Sequence, residues 1–367
     1  MTIIDMKVRS AQVKLKKPKY FATKHITHRD YVIVNLSTDE GIDGWGFVSA
    51  LPMTRHAVEM LRDLLIGQDV YKIHLIEDKM RRVFERHARN GIGPRAIAPI
   101  DMALWDIIGK AANLPLYKLL GYYRDEVPSY YSGGYYREDI QTETEMMAYL
   151  EQEIGTFRDQ GFTAFKMKIG GARRAFDLER IKKVREIIGP DSKLMLDAGC
   201  GYNADEIIAM ARHFEEYEIE WLEEPVPPDD LLNCAYVASR VSMPVAIGES
   251  HFSKYAIRDI LEYKAARILQ ADMTFLGGLS EFMNVLGVCS TYGVRLSPHA
   301  FHDYTVQIGM ARKESEIIEY LDASTDGGVH QYLFQNPVHH KKGMLRAPDG
   351  PGHGLLLDED ALKHYEV

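Results

Sequence analysis

The chain has 367 residues, 46% of them hydrophobic and 26% charged, with a formal net charge of −9. Such a composition sustains one large or two ordinary globular domains, and it argues against a general nucleic-acid binder, which needs Lys and Arg clustered on one face. Three cysteines, Cys200, Cys234 and Cys289, are too few and too scattered for a disulfide framework or a zinc site and read as reduced thiols.

Residues 1–15 alternate polar and apolar side chains and lack the continuous apolar run of a signal peptide or membrane helix. A soluble cytoplasmic protein with no membrane partner is expected. Residues 7–14, 31–36 and 44–48 read as three short antiparallel strands, with Thr38-Asp39-Glu40-Gly41 turning between the last two. The polar, basic stretch 16–29 between the first two reads as a loop. Helical periodicity follows at 53–65, 74–85 and 95–112, where Ile97, Ile100, Ala103, Leu104 and Ile107 share a face. An α+β module over residues 1–125 is expected.

From Val127 the texture changes to short apolar runs alternating with amphipathic helices: 127–132, 164–168, 193–197, 218–222, 245–248, 267–270, 294–297 and 317–320. Repeated βα units imply a parallel sheet. Eight strands with no glycine-rich phosphate loop after the first predict an α/β fold closed as a barrel over 126–330, rather than an open sheet. The tail 331–367, with Pro337, Pro348 and Pro351, has no barrel period and is expected to return to the first module.

Acidic residues fall at the carboxyl ends of successive strands, where the loops of such barrels build their sites. Asp197, Glu223 and Glu249 follow one another at equal separations of 26 residues, so each holds the same place in consecutive βα units and the three side chains should converge. Carboxylates forced together repel in a site of low dielectric, and a hard divalent cation relieves that repulsion. All-oxygen ligation favours magnesium, with manganese next. The second strand ends Lys166-Met167-Lys168, and alternation puts both ammonium groups at the barrel mouth, where mutual repulsion and the nearby charges set how easily one becomes a base. Asp272 ends the sixth strand, His299 the seventh and Glu319 the eighth. A carboxylate and an imidazole on neighbouring strand ends can form an acid/base dyad.

The ordered set Lys166-x-Lys168, Asp197, Glu223, Glu249, Asp272, His299 and Glu319 resembles the mandelate racemase subgroup of the enolase superfamily. The stretch Ala96-Ile97-Ala98-Pro99-Ile100-Asp101-Met102-Ala103-Leu104-Trp105-Asp106 is similar to the family's helix leading into the barrel. The resemblance implies a modified TIM barrel, (β/α)7β, with an N-terminal capping domain and a displaced eighth helix. It implies magnesium on Asp197, Glu223 and Glu249, and abstraction of the proton alpha to a carboxylate by a Lys or His base. Lys168 would act on one face of the substrate, and His299 with Asp272 on the other. Lys166 would steady the carboxylate and tune Lys168, and Glu319, protonated or sharing a proton, would donate a hydrogen bond to the carboxylate. A small carboxylate substrate and a homo-oligomer, dimer or octamer, are also implied.

Two bases allow two outcomes, dehydration of an acid sugar to a 2-keto-3-deoxy acid or epimerisation of a 2-hydroxy acid. The donors of the 16–29 stretch, His25 among them, favour the first, since a sugar acid wants donors and an aryl substrate apolar walls. His251 is a further expected donor. In place of the Asn that many relatives carry two residues after the first metal ligand, this chain has Gly199.

Overall fold

A computed structural model describes all 367 residues. The amino-terminal strands are longer than their apolar runs: β1 (Ile3–Phe21) and β2 (Lys24–Thr38) form one continuous hairpin, followed by β3 (Asp43–Ser49). The 16–29 stretch is therefore no loop. Its polar residues pair backbone to backbone, Lys19 with Ile26 and Phe21 with Lys24, so ladder bonds replace the hydration that the polarity suggested. Between Lys14 and Lys19 the register shifts, with four residues of β1 running against one of β2. This bulge re-aims the side chains of the hairpin tip.

Four helices follow. The expected 53–65 helix is broken into α1 (Thr54–Glu59) and α2 (Arg62–Leu65), whereas α3 (Ile73–Phe84) and α4 (Ile92–Ala111) match their periodicity. The apolar face of α4 buries Ile97, Ile100, Ala103 and Leu104 against Val32, Val34 and Val48 of the sheet. Close approach depends on Gly46, where a Cβ would lie 2.2 Å from the Pro99 carbonyl oxygen. A short α5 (Leu116–Leu119) leads into the barrel.

The barrel begins with β4 (Val127–Gly133), and then β5 (Tyr136–Arg137) adds to the cap sheet beside β1. Alternating units follow: α6 (Glu143–Asp159), β6 (Ala164–Lys168), α7 (Arg174–Ile188), β7 (Lys193–Asp197), α8 (Ala204–Ala211), β8 (Ile219–Glu223), α9 (Leu231–Ala238), β9 (Val245–Ile247), α10 (Lys254–Glu262) and β10 (Ile268–Leu269). The last units are α11 (Met273–Leu276), α12 (Leu279–Tyr292), β11 (Arg295–Leu296), α13 (His302–Ala311) and β12 (Ile318–Tyr320). The strands pair in parallel in chain order, β12 returns to β4, and a bridge from Leu296 to Ser315 closes the ring. Where an eighth barrel helix would follow β12 the chain forms two 3-10 turns, so the barrel is (β/α)7β with an N-terminal cap.

Inside the barrel Tyr130, Ala164, Met195, Trp221, Ala246 and Ile268, one from each of six strands, form an apolar layer. Residues two further along face the same way. Those are Ser132, Lys166, Asp197, Glu223, Gly248 and Gln270, so the layer above is polar and opens the site. The tail pairs β13 (Met344–Leu345) with β4, ties His353 N to Asp106 Oδ1 at 3.1 Å, and places α14 (Glu359–Tyr365) where Glu359 meets Arg9 at 2.7 Å. No helix is long and apolar enough to cross a membrane.

Candidate active site

Register alone brings the first groups together: Lys168 pairs with Asp197, and Asp197 with Glu223, across β6, β7 and β8. Lys166 is fully buried, and its ammonium donates to Glu223 Oε1 at 2.5 Å, lies 2.8 Å from Glu319 Oε1 and 3.8 Å from Asp197 Oδ2. Lys168 donates to Asp197 Oδ2. Glu223 also accepts from Gln270 Nε2 at 2.5 Å and from Trp221 Nε1 at 3.2 Å. Glu249, beyond the end of β9, has its Oε2 at 3.3 Å from His299 Nε2.

The dyad has the expected geometry. His299 Nδ1 lies 2.8 Å from Asp272 Oδ2, while Asp272 Oδ1 caps α11 by accepting from Thr274 N and Thr274 Oγ1, both at 2.7 Å. With both oxygens engaged, the Asp272 carboxylate is fixed, and it turns Nε2 of the imidazole toward Glu249 and Glu319. After β11 the chain passes through two left-handed residues, Ala300 (φ 51°) and Phe301 (φ 43°), and the Ala300 N–H donates to Glu319 Oε2 at 2.7 Å. Strained backbone of this kind persists where its surroundings over-determine it.

Charge states are set by these contacts. Burial works against the imidazolium of His299, but Glu249 and Asp272 raise it to about 10. Burial likewise opposes the Lys168 charge, yet the Asp197 carboxylate holds it protonated, well above the ordinary lysine range. The expected repulsion between Lys166 and Lys168 is thus outweighed by pairing. Glu319 also differs from expectation: although buried, it is held ionised, far below the usual range, by Lys166 and His299. In this charge state it accepts hydrogen bonds and cannot donate one. Burial and repulsion from Asp197 push Glu223 up to about 8, whereas Asp197, despite its burial, is drawn down to about 2 by Lys168.

The residues fit a hard divalent cation. Asp197, Glu223, Glu224, Glu249, Asp272 and Glu319 crowd around only three positive groups, Lys166, Lys168 and protonated His299, which leaves excess negative charge among oxygen donors. Glu224 carries no mark in the strand-end pattern. Its left-handed φ of 40° turns it away from Glu223 toward Cys200 Sγ at 3.2 Å and Ser250 Oγ at 2.9 Å, and burial with Glu249 raises it to about 7. A second buried cluster, His302, Asp303 and His330, is already satisfied by hydrogen bonds: Asp303 accepts from Val338 N at 2.6 Å and pairs with His330 Nε2 at 2.9 Å, anchoring the tail to α13.

A cavity of about 100 Å³ joins Lys168, Asp272, His299 and Glu319 to a wall of Arg29, Tyr31, Tyr135, Phe275, Phe301 and Leu321. Arg29 and Tyr31 reach it because alternate residues of β2 share a face. His25 does not reach it: the ring is 68% exposed at the hairpin tip, 2.8 Å from Glu138 Oε1 and stacked on Tyr20. His251 is buried away from the cavity, its imidazolium pushed down to about 4 by burial. Gly199 is explained by packing. At its φ of 49° a Cβ would lie 2.7 Å from the ring of Phe21, and that ring covers the Lys168 ammonium at 4.6 Å.

Fold and site together are those of an enolase-superfamily enzyme. Residues 3–121 match the Mandelate racemase / muconate lactonizing enzyme, N-terminal domain, and residues 149–361 the Enolase C-terminal domain-like family. The chain belongs to the mandelate racemase and muconate lactonizing enzyme family. It is 30% identical, over 100% of its length and 99% of the relative's, to D-galactarolactone cycloisomerase of Agrobacterium fabrum. It is 32% identical to arabinonate dehydratase of Saccharolobus solfataricus, over 92% of this chain and 91% of that one. A racemase from Streptomyces coelicolor, solved with bound magnesium, superposes with a TM-score of 0.90 at 27% identity and covers 100% of both chains. The chain is an enzyme of the dehydratase or racemase/epimerase kind.

Proposed function

We propose that this enzyme removes the proton alpha to a substrate carboxylate and dehydrates an acid sugar to a 2-keto-3-deoxy acid. The observation that supports the reading is that Lys168 and His299 border one cavity, with β7, β8, β9 and β10 between their strands on one side and β4 and β12 on the other. Magnesium is the cofactor, held by Asp197, Glu223 and Glu249, and when bound it supplies positive charge to the enolate that forms. Asp197, engaged as a ligand, would hold Lys168 less tightly, and that amine would then be free to take the α proton. Lys166 stays paired to Glu223 and Glu319 and keeps the ligand oxygens apart. His299, charged as an imidazolium and steadied by Asp272, gives its proton to the β-hydroxyl as the carbon–oxygen bond breaks. Water leaves, and the enol product becomes the keto acid.

The apolar walls of Tyr31, Phe275, Phe301 and Leu321 support a second reading, in which His299 returns the proton to the α carbon and the product is an epimer. Incubation of the magnesium-loaded enzyme with mono- and diacid sugars, assayed for 2-keto acids beside polarimetry, separates them. Keto acid is expected. A change in rotation with no keto acid would establish epimerisation, and neither change with any acid sugar would overturn the substrate class.

A further inference from the structure

The lysines that enter the polar layer of the barrel are both matched by carboxylates, but two cations on the cap side are not. Arg29 lines the catalytic cavity, half-buried, and its guanidinium makes no hydrogen bond or ion pair. The neighbouring carboxylate, Asp30, is engaged elsewhere, accepting from Gln12 Nε2 at 2.9 Å and facing His28 Nε2 at 3.4 Å. Lys19, 2% exposed, is turned inward just after the β1 bulge. Its ammonium lies 3.9 Å from the ring centre of Tyr135, and the Lys168 ammonium lies 5.2 Å from the same ring, which itself lines the cavity.

The only hydrogen bond of the Lys19 ammonium is to the Thr325 carbonyl oxygen at 3.4 Å. No carboxylate lies within 4.0 Å of this ammonium. Glu153 accepts from Tyr131 Oη at 2.5 Å and Gly134 N at 3.1 Å, both through Oε1, its Oε2 being without a hydrogen bond, and Asp326 accepts from the backbone of Lys16 and Lys17 at 3.2 and 3.0 Å. A buried ammonium without a direct ion pair is costly even with Glu153 and Asp326 in the neighbourhood, and the Arg29 charge raises that cost. Burial and Arg29 accordingly depress Lys19 to about 7.

We propose that Arg29 and Lys19 form a second anion subsite on the cap side of the cavity, and that the substrate is a dicarboxylate whose far carboxylate sits there. This rests on the α-proton reading and narrows its substrate class. The hairpin would then close over an anion at both ends of the substrate, one carboxylate at the metal ligands and one at the cap, with Tyr135 between Lys19 and Lys168.

Calorimetry tests it with the magnesium-loaded enzyme and three matched pairs that differ only at the far end: galactarate and galactonate, glucarate and gluconate, mannarate and mannonate. At least one diacid should bind about 10-fold or more tighter than its monoacid partner. Arg29→Gln and Lys19→Met should each weaken that diacid about 10- to 100-fold and shift the monoacid by less than about 3-fold. Arg29→Lys, which keeps the charge, should retain most of the preference. A purely structural role for either residue would weaken both acids alike. Equal binding of all pairs, no diacid binding, or a preference that survives both substitutions would overturn the subsite. Binding is read whether or not the α proton exchanges, so failure of exchange alone would count against the chemistry and not against the subsite.

Discussion

Lys166 and Lys168 are two residues apart on one strand, yet their partners differ. Lys166 is enclosed by Glu223 and Glu319, while Lys168 has one close carboxylate and borders the cavity. That difference supports the proposed roles, proton transfer for Lys168 and holding for Lys166. It is legible only in part from the sequence. Period-two alternation and the equal spacing of Asp197, Glu223 and Glu249 bring these groups to one place, but charge state depends on which oxygen lies nearest which nitrogen. Glu319 illustrates this: at a strand-end acid expected to carry or share a proton, the Lys166 ammonium and Ala300 N–H both point at the carboxylate and favour its ionised form. His299 is the residue whose state is most readily tested. Asp272 favours its imidazolium, so Asp272→Asn should lower its pKa, and the acid form is then lost at lower pH. The basic limb of the kcat profile should move down by about one to two pH units. An unmoved limb would show that another group is the acid.

Among elements, the β1–β2 hairpin departs most from its sequence signal. Polar residues over 16–29 read as loop because nothing in a one-dimensional pattern reveals that β5, from the barrel, pairs with Lys19 and Tyr20. Nor does a pattern reveal a bulge, so nothing in the sequence separates Lys19 and Arg29 from the other basic residues of that stretch, whereas the exposed His25 draws attention by its chemistry alone. The short strands β10 and β11 are nonetheless legible, since each is an apolar run ending in a chemically marked residue. Beneath the hairpin tip, Gly199 and Gly201 of the β7–α8 loop meet Phe21 and Ala22, where added Cβ atoms would come within 2.7 and 2.8 Å. Restoring the usual side chain by Gly199→Asn should therefore displace Phe21 from Lys168, lower stability by about 1–3 kcal/mol and reduce kcat/KM. Thermal melts and kinetics with the variant check this; unchanged values for both would show that the hairpin is not seated on that glycine.

At the scale of the molecule, one apolar core runs from the inner face of the cap sheet, through Val13, Tyr31 and Phe47, into the helices around the barrel. The tail reinforces it: His353 Nε2 lies 3.0 Å from the Trp45 carbonyl, and Val367 N donates to Ser10 O at 3.1 Å. The cap is thus positioned over the mouth of the barrel by packing, and the cavity is shared between them. Barrel order is readable from alternation, whereas the docking of cap on barrel depends on contacts between residues hundreds of positions apart. The central claim is that this shared cavity removes a proton alpha to a carboxylate with magnesium present. The direct measurement is deuterium incorporation at the α carbon of an acid sugar in heavy water, monitored by NMR for the magnesium-loaded enzyme, the chelated enzyme, and the Lys168→Ala and His299→Ala variants. Incorporation should occur with magnesium, cease on chelation and fall by at least about 100-fold in the variant that removes the acting base. Exchange that persists in both variants, or that is indifferent to chelation, would contradict the account.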